Sequence, residues 1–215
     1  MSTASIELSA LQQDAFTELV NIGVSRAAAS LRKMIGVQVL LSVPSIEIVS
    51  RATAARLVAE REASEFVVVH QDFQGAFSGR ALLIFPKENG RELARAVTGG
   101  DISPEEIAEL EDEALTETGN IILNGCLATM ANMLQRTLTM SLPRIIRGDA
   151  PAIFRPSAAG DDDEEALVLF LYINFSVHER DIRGYIAMLM DLPSLESLKL
   201  LIDDFIERAI GETGG

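Results

Sequence analysis

Three polar side chains recur in this sequence with identical spacing. Asp14, Glu18 and Asn21 stand at i, i+4 and i+7, and twenty-two residues separate Asn21 from Pro44. Glu113, Glu117, Asn120 and Pro143 each stand 99 positions after their counterparts. On a helix this spacing makes one stripe on one face. The stripe offers carboxylates and a neutral amide, and no strong base. A lone Glu-x-x-Asn on a helix is usually a solvated face. Asn, however, is a mediocre helix former, and here it sits mid-helix twice at the same place. A repeated apolar pattern would only repeat a fold, whereas a repeated polar stripe repeats a surface, and function sits on surfaces.

The elements that must carry the stripes repeat as well. A strand-like run follows each, Val37 to Leu41 and Leu142 to Ile146. Ser78 to Phe85 resembles Arg183 to Met190, with Gly79 and Gly184 offset by 105. The second half has therefore gained about six residues, an ordinary loop insertion, placed around Gly160 and the acidic run Asp161 to Glu165. Each half closes with a helix, Lys87 to Val97 and Ser194 to Ile210. The chain reads as a single domain, residues 1–215, with halves of about 1–104 and 105–215.

Locally, Ser9 with Gln12 forms a capping box for a helix reaching about Met34, which Gly36 ends. Val37 to Val49 reads as a strand with Pro44 marking an edge or bulge. Thr53 to Glu60 reads as a short helix. Glu65 to Phe73 and Arg80 to Phe85 read as a hairpin. Ser103-Pro104-Glu105-Glu106 opens a helical run to about Thr139, expected to divide into a short helix and a main one. Leu142 to Ile146, Leu167 to Val177 and Gly184 to Met190 read as strands, and Pro193 opens the last helix. Leu11, Ala15, Phe16, Leu19 and Ile22, with Leu110, Leu115, Ile121 and Ile122, are expected to pack on the sheet. The hairpins favour an α+β fold: a mostly antiparallel sheet with long helices packed on it and an internal pseudo-twofold duplication.

Hydrophobic residues make up 48% of the chain and charged ones 23%, enough for a real core. The single cysteine, Cys126, leaves no internal disulfide and points to a reducing, cytoplasmic setting. No apolar run approaches the roughly 18 residues of a membrane span. The first residues carry no basic region before an apolar stretch, so no secretory signal is expected. A net charge of −14 argues against nucleic acid and anionic membranes as partners. No P-loop, CxxC, HExxH or GxSxG occurs. Cys126 reads as a buried inert thiol, His70 and His178 as core or edge residues, and the 161–165 run as a solvated loop. Pro44 and Pro143 read as structural. Asn124, aligned with Ser25, would border the second stripe.

The pattern of Asp, Glu, Asn and Pro at these spacings resembles the signature of the CheC/CheX/FliY phosphatases of bacterial chemotaxis. Glu18-Leu19-Val20-Asn21-Ile22-Gly23 and Glu117-Thr118-Gly119-Asn120-Ile121-Ile122 look like its two copies. Two copies without an appended FliN-type domain make CheC the expected branch. Glu113 departs from the pattern, where Asp or Ser is more frequent.

The resemblance implies dephosphorylation of a CheY-like response regulator. Glu18, Asn21, Glu117 and Asn120 would be the catalytic residues, and Asp14, Glu113 and Asn124 the border. Phosphoryl transfer needs positioning more than covalent help. The receiver would bring its own Mg²⁺ and Lys, so no cofactor or metal is expected in this chain. The Asn carbonyl would hold the attacking water, and the Glu would pair with the receiver's Lys. CheD is a further partner the family implies, and a monomer is expected. Two other readings remain: a non-catalytic regulator of CheD, and a flagellar switch component like the FliM middle domain.

Overall fold

The computed structural model of the chain describes residues 6–36, 38–61, 65–98, 104–155, 167–177 and 180–213. The elements are α1 (Ala10–Ile35), β1 (Val39–Ser42), β2 (Ile46–Ser50), α2 (Arg51–Arg61), β3 (Phe66–Gly75), β4 (Gly79–Pro86) and α3 (Lys87–Thr98). They continue with α4 (Pro104–Met133), β5 (Leu138–Met140), β6 (Arg144–Gly148), α5 (Ala150–Ile153), β7 (Leu167–Val177), β8 (Arg180–Met190) and α6 (Leu192–Thr213). The type order of the first seven elements recurs in the last seven.

α1 begins and ends where local chemistry directs. Ser9 Oγ accepts the Gln12 N–H at 3.2 Å, and Gln12 Oε1 accepts the Ser9 N–H at 2.9 Å. Donors that the first turn would leave orphaned are thereby satisfied. Gly36 closes the helix at φ 74°, a left-handed conformation that costs glycine nothing.

α4 corrects the sequence reading: it is one continuous helix of 30 residues, not a short helix and a main one. No proline follows Pro104 within it, and its glycines serve packing instead of termination. A Cβ on Gly119 would lie 2.5 Å from Val69 Cγ1, and one on Gly125 would lie 3.0 Å from Ala27 Cβ. The cap expected at Ser103 lies outside the described residues.

The single strand expected over Val37 to Val49 is two strands, β1 and β2, separated by Val43 to Ser45; Val37 lies outside the described residues. Pro44 has no N–H to donate to a ladder, so pairing lapses there. β5 and β6 flank Pro143 in the same way. The strand expected from Leu142 therefore starts at Arg144, and β5 and the short α5 went unforeseen.

The described residues form a sheet of eight strands, paired antiparallel in the order β1-β7-β8-β4-β3-β5, with β2 also on β7 and β6 also on β3. Strands of the two halves interleave. β1 and β2 pair with β7, while β5 and β6 pair with β3. Side chains alternate between faces. Val67, Val69 and Phe73 join a core with α1, α3, α4 and α6 residues such as Phe16, Leu93, Leu123 and Leu198. Phe66 and Val68 face the other way, onto Ala54 and Val58 of α2 and Ile153 of α5. α1 and α4 meet through small residues: a Cβ on Gly23 would lie 2.9 Å from Cys126 Cα. No helix among the described residues is long and apolar enough to cross a membrane.

Candidate functional site

Both stripes are presented outward. Asp14 and Glu18 on α1, and Glu113 and Glu117 on α4, are exposed, whereas Asn21 and Asn120 are half-buried at the foot of each stripe. Phe16, Leu19 and Val20 fix one helix against the core, and Leu115, Ile122 and Leu123 the other. The ion pairs among the described residues involve none of these four carboxylates. Each carboxylate is therefore available to a cationic partner.

Two expected core residues are exposed instead, and a third, Ile22, is half-buried outside the core cluster. Leu11 is 57% exposed and Leu110 is 40% exposed. They lie three residues before Asp14 and Glu113, on the same face, and so share that face's exposure. Each stripe thus begins with an apolar side chain in solvent.

Asn21 grips main chain. Its Oδ1 accepts the Val43 N–H at 2.8 Å, and its Nδ2 donates to the Val43 carbonyl at 3.0 Å. Val43 is 1% exposed and lies where Pro44 interrupts the ladder. Its peptide groups would otherwise be buried orphans, which is costly. The fixed distance from Asn to Pro in the signature acquires a physical cause here. The amide replaces the ladder partner at the residue before the proline.

The second copy is wired differently. Leu142, the counterpart of Val43, is 84% exposed, and Asn120 does not bond to it. Asn120 Oδ1 instead accepts from Asn124 Nδ2 at 2.6 Å and from Gln71 Nε2 at 3.3 Å. Gln71 Nε2 also reaches Asn124 Oδ1 at 3.4 Å and the Ser141 carbonyl at 3.0 Å. Ser141 is tied to β3 through Asp72: its N–H donates to the Asp72 carbonyl at 2.9 Å, and its Oγ accepts the Asp72 N–H at 3.0 Å. The carbonyl of Asn120 is thus occupied, and Nδ2 is left without a partner among the described residues.

The structure brings Asn120 and Asn124 together, as expected, and adds Gln71. It does not merge the two stripes. Asn21 faces the β1–β2 corner at one end of the sheet and Asn120 the β5 end at the other. Gln71 escaped the sequence reading, although a signal existed: it is the polar residue in the otherwise apolar helix-facing register Val67, Val69, Gln71, Phe73 of β3.

The remaining candidates behave as structural groups. Cys126 is buried, and burial pushes its thiol up to about 12. His70 is half-buried, with its Nδ1 unpaired in the interior. Burial first, then the charge of Arg80, lowers its pKa. Among the described residues no three His, Cys, Asp or Glu side chains group to hold a metal. His178 and the 161–165 run lie outside the described residues.

Comparison with known proteins sets several likenesses beside this geometry. The family model of the chemotaxis phosphatase CheX matches residues 67–162, a stretch that holds Gln71 and the second stripe. The chain is 25% identical to the Halobacterium salinarum protein CheC1 over 187 residues, 86% of this chain and 92% of that one. It is 22% identical to the CheY-P phosphatase CheC of Bacillus subtilis over 192 residues, 87% of this chain and 91% of that one. Among solved structures, FliY of Thermotoga maritima superposes with a TM-score of 0.70 at 16% identity, covering 93% of this chain and all of that one. At that identity the likeness speaks to the fold.

Proposed function

We propose that this chain, which is similar over most of its length to CheC-type chemotaxis phosphatases, hydrolyses the aspartyl phosphate of a CheY-like response regulator at its two Glu/Asn stripes. One observation carries the reading. Twice, an exposed carboxylate without an ion-pair partner among the described residues stands one turn from an amide held at the foot of the same stripe.

The receiver would supply Mg²⁺ and a lysine with its phosphate. What it lacks is a water held in line with the bond to be broken, and positioning is the main demand of phosphoryl transfer. Glu18 or Glu117 would pair with the receiver's lysine and set the helix on its surface. The amide would then hold the water as it attacks phosphorus. The bond to the aspartyl oxygen breaks, and inorganic phosphate leaves. The occupied carbonyl of Asn120 changes the expected role of that amide. The free group is Nδ2, which donates to the water oxygen and leaves its other lone pair toward phosphorus. The Asn21 amide keeps one N–H and one lone pair beyond its bonds to Val43.

The test is the rate of phosphate loss from a phosphorylated receiver with and without this protein. Acceleration is expected, and Asn21→Ala with Asn120→Ala should abolish it. Unchanged turnover in the double variant would sink the assignment. It would favour a non-catalytic role, as a CheD regulator or a flagellar switch component, because neither needs the two amides.

A further inference from the structure

We propose that Gln71 is the positioning residue of the second stripe, holding the Asn120 amide with its Nδ2 toward the substrate; the inference rests on the phosphatase reading above.

Gln71 is 1% exposed, yet it projects a polar amide into the helix-facing core. Its Nε2 is shared among Ser141 O, Asn120 Oδ1 and Asn124 Oδ1. Its own Oε1 is buried with no partner. A buried, unpaired carbonyl is a cost to stability that an apolar side chain would avoid. The other half shows that alternative. Phe73 pairs with Met140 as Phe175 pairs with Leu41, so the register partner of Gln71 in β7 is Ile173, itself buried. Where the strand carries Ile173, the Asn has only main chain to grip. Where it carries Gln71, the Asn carbonyl is drawn inward and the amide nitrogen is released.

A second feature places Gln71 within reach. Gly119, next to Asn120, lets α4 descend onto β3, so that even a methyl group there would meet Val69. The counterpart in α1 is Val20, a buried side chain in place of the glycine. The glycine and the glutamine belong to one device: the helix is lowered and the amide is caught. Asn124, whose counterpart is Ser25, completes it with the 2.6 Å bond to Asn120 Oδ1.

The decisive measurement is steady-state hydrolysis of a phosphorylated receiver in an Asn21→Ala background, where turnover comes from the second stripe. Gln71→Met keeps the length of the side chain and removes its donor; Gln71→Ile copies the first half. Both should lower kcat by at least about tenfold through misplacement of Asn120. KM should hold within about twofold, because Glu117 and its docking face are untouched. Thermal stability should be kept or raised, since the unpaired Oε1 is gone. In an Asn120→Ala background, Gln71→Met should leave the remaining rate where it was. An unchanged kcat in the Asn21→Ala background would overturn the proposal. So would an equal fall in the Asn120→Ala background, which would mark Gln71 as merely structural. So would loss of all turnover in Asn21→Ala alone. Persistent turnover in Asn21→Ala with Asn120→Ala is a different result and strikes the phosphatase reading itself.

Discussion

Asn21 and Asn120 occupy equivalent places in their helices but use their amides for different bonds. Removing Asn21 strips both partners from the buried Val43 peptide groups, so Asn21→Ala should cost about 1–3 kcal/mol of stability. Asn120→Ala should cost less, since Leu142 is already in solvent. Denaturant unfolding of the two single variants checks the difference. The stripe carboxylates should act in docking. Glu18→Lys with Glu117→Lys would set lysine against the receiver's own lysine and weaken binding by about tenfold or more. A titration in which the double variant binds like the parent would refute this. Cys126 gives a pH prediction. Its folded pKa of about 12 lies above the ordinary 9.0, so between these values the unfolded chain releases a proton that the folded chain keeps. Stability from this group is complete below pH 9 and is lost as pH rises toward 12, with a slope approaching about 1.4 kcal/mol per pH unit. Cys126→Ala should flatten that slope in alkaline unfolding curves, whatever its effect at neutral pH.

Glycine sets the height of the helices above the sheet and above one another. At Gly119 a methyl group would sit 2.5 Å from Val69 Cγ1 and 2.6 Å from its Cβ. A β-branched side chain in a strand has little room to yield. Gly119→Ala must therefore lift α4, and the strain should cost about 1–3 kcal/mol despite the better helix propensity of alanine. The same lift would part Asn120 from Gln71, so the second stripe should lose turnover with the loss of stability. Calorimetry and hydrolysis rates on one preparation test both. Gly36→Ala is the control. It sits in a left-handed cap with open space around it, so it should cost stability without touching turnover.

The interleaved sheet bears on the whole chain. β1 and β2 find their described partner strand in β7, and β5 and β6 find theirs in β3. A fragment of residues 1–104 would leave β1 and β2 without a ladder and would bare the faces of β3 and β4. It should be unfolded or aggregated, with a far-UV spectrum lacking the strand content of the parent. Mixing it with residues 105–215 should restore the native spectrum if the chain is one folding unit. A fragment that folds alone would show that each half has its own core.

What the sequence determined by itself is what local chemistry and spacing encode. The Ser9 box and the Gly36 cap involve residues within four positions of each other, and the 167–177 strand follows from an apolar run interrupted only by Asn174 and Ser176. The two polar stripes are visible because 3.6 residues per turn convert spacing into a face. Spacing also puts Leu11 and Leu110 on those faces; reading them as core put hydrophobicity ahead of position. Tertiary structure decided the rest. The clasp of Asn21 on Val43 spans 22 residues, and the reach of Gln71 to Asn120 spans 49. Both depend on which strand lies beneath which helix, and no local preference records that. The length of α4 was decided in the same way: its two glycines, weak as helix formers, are held by close packing on Val69 and Ala27. Two stripes of the same spacing hold their amides differently, Asn21 on the Val43 main chain and Asn120 on Asn124 and Gln71, and the strand register that sets Ile173 in one half and Gln71 in the other is visible only in the folded sheet.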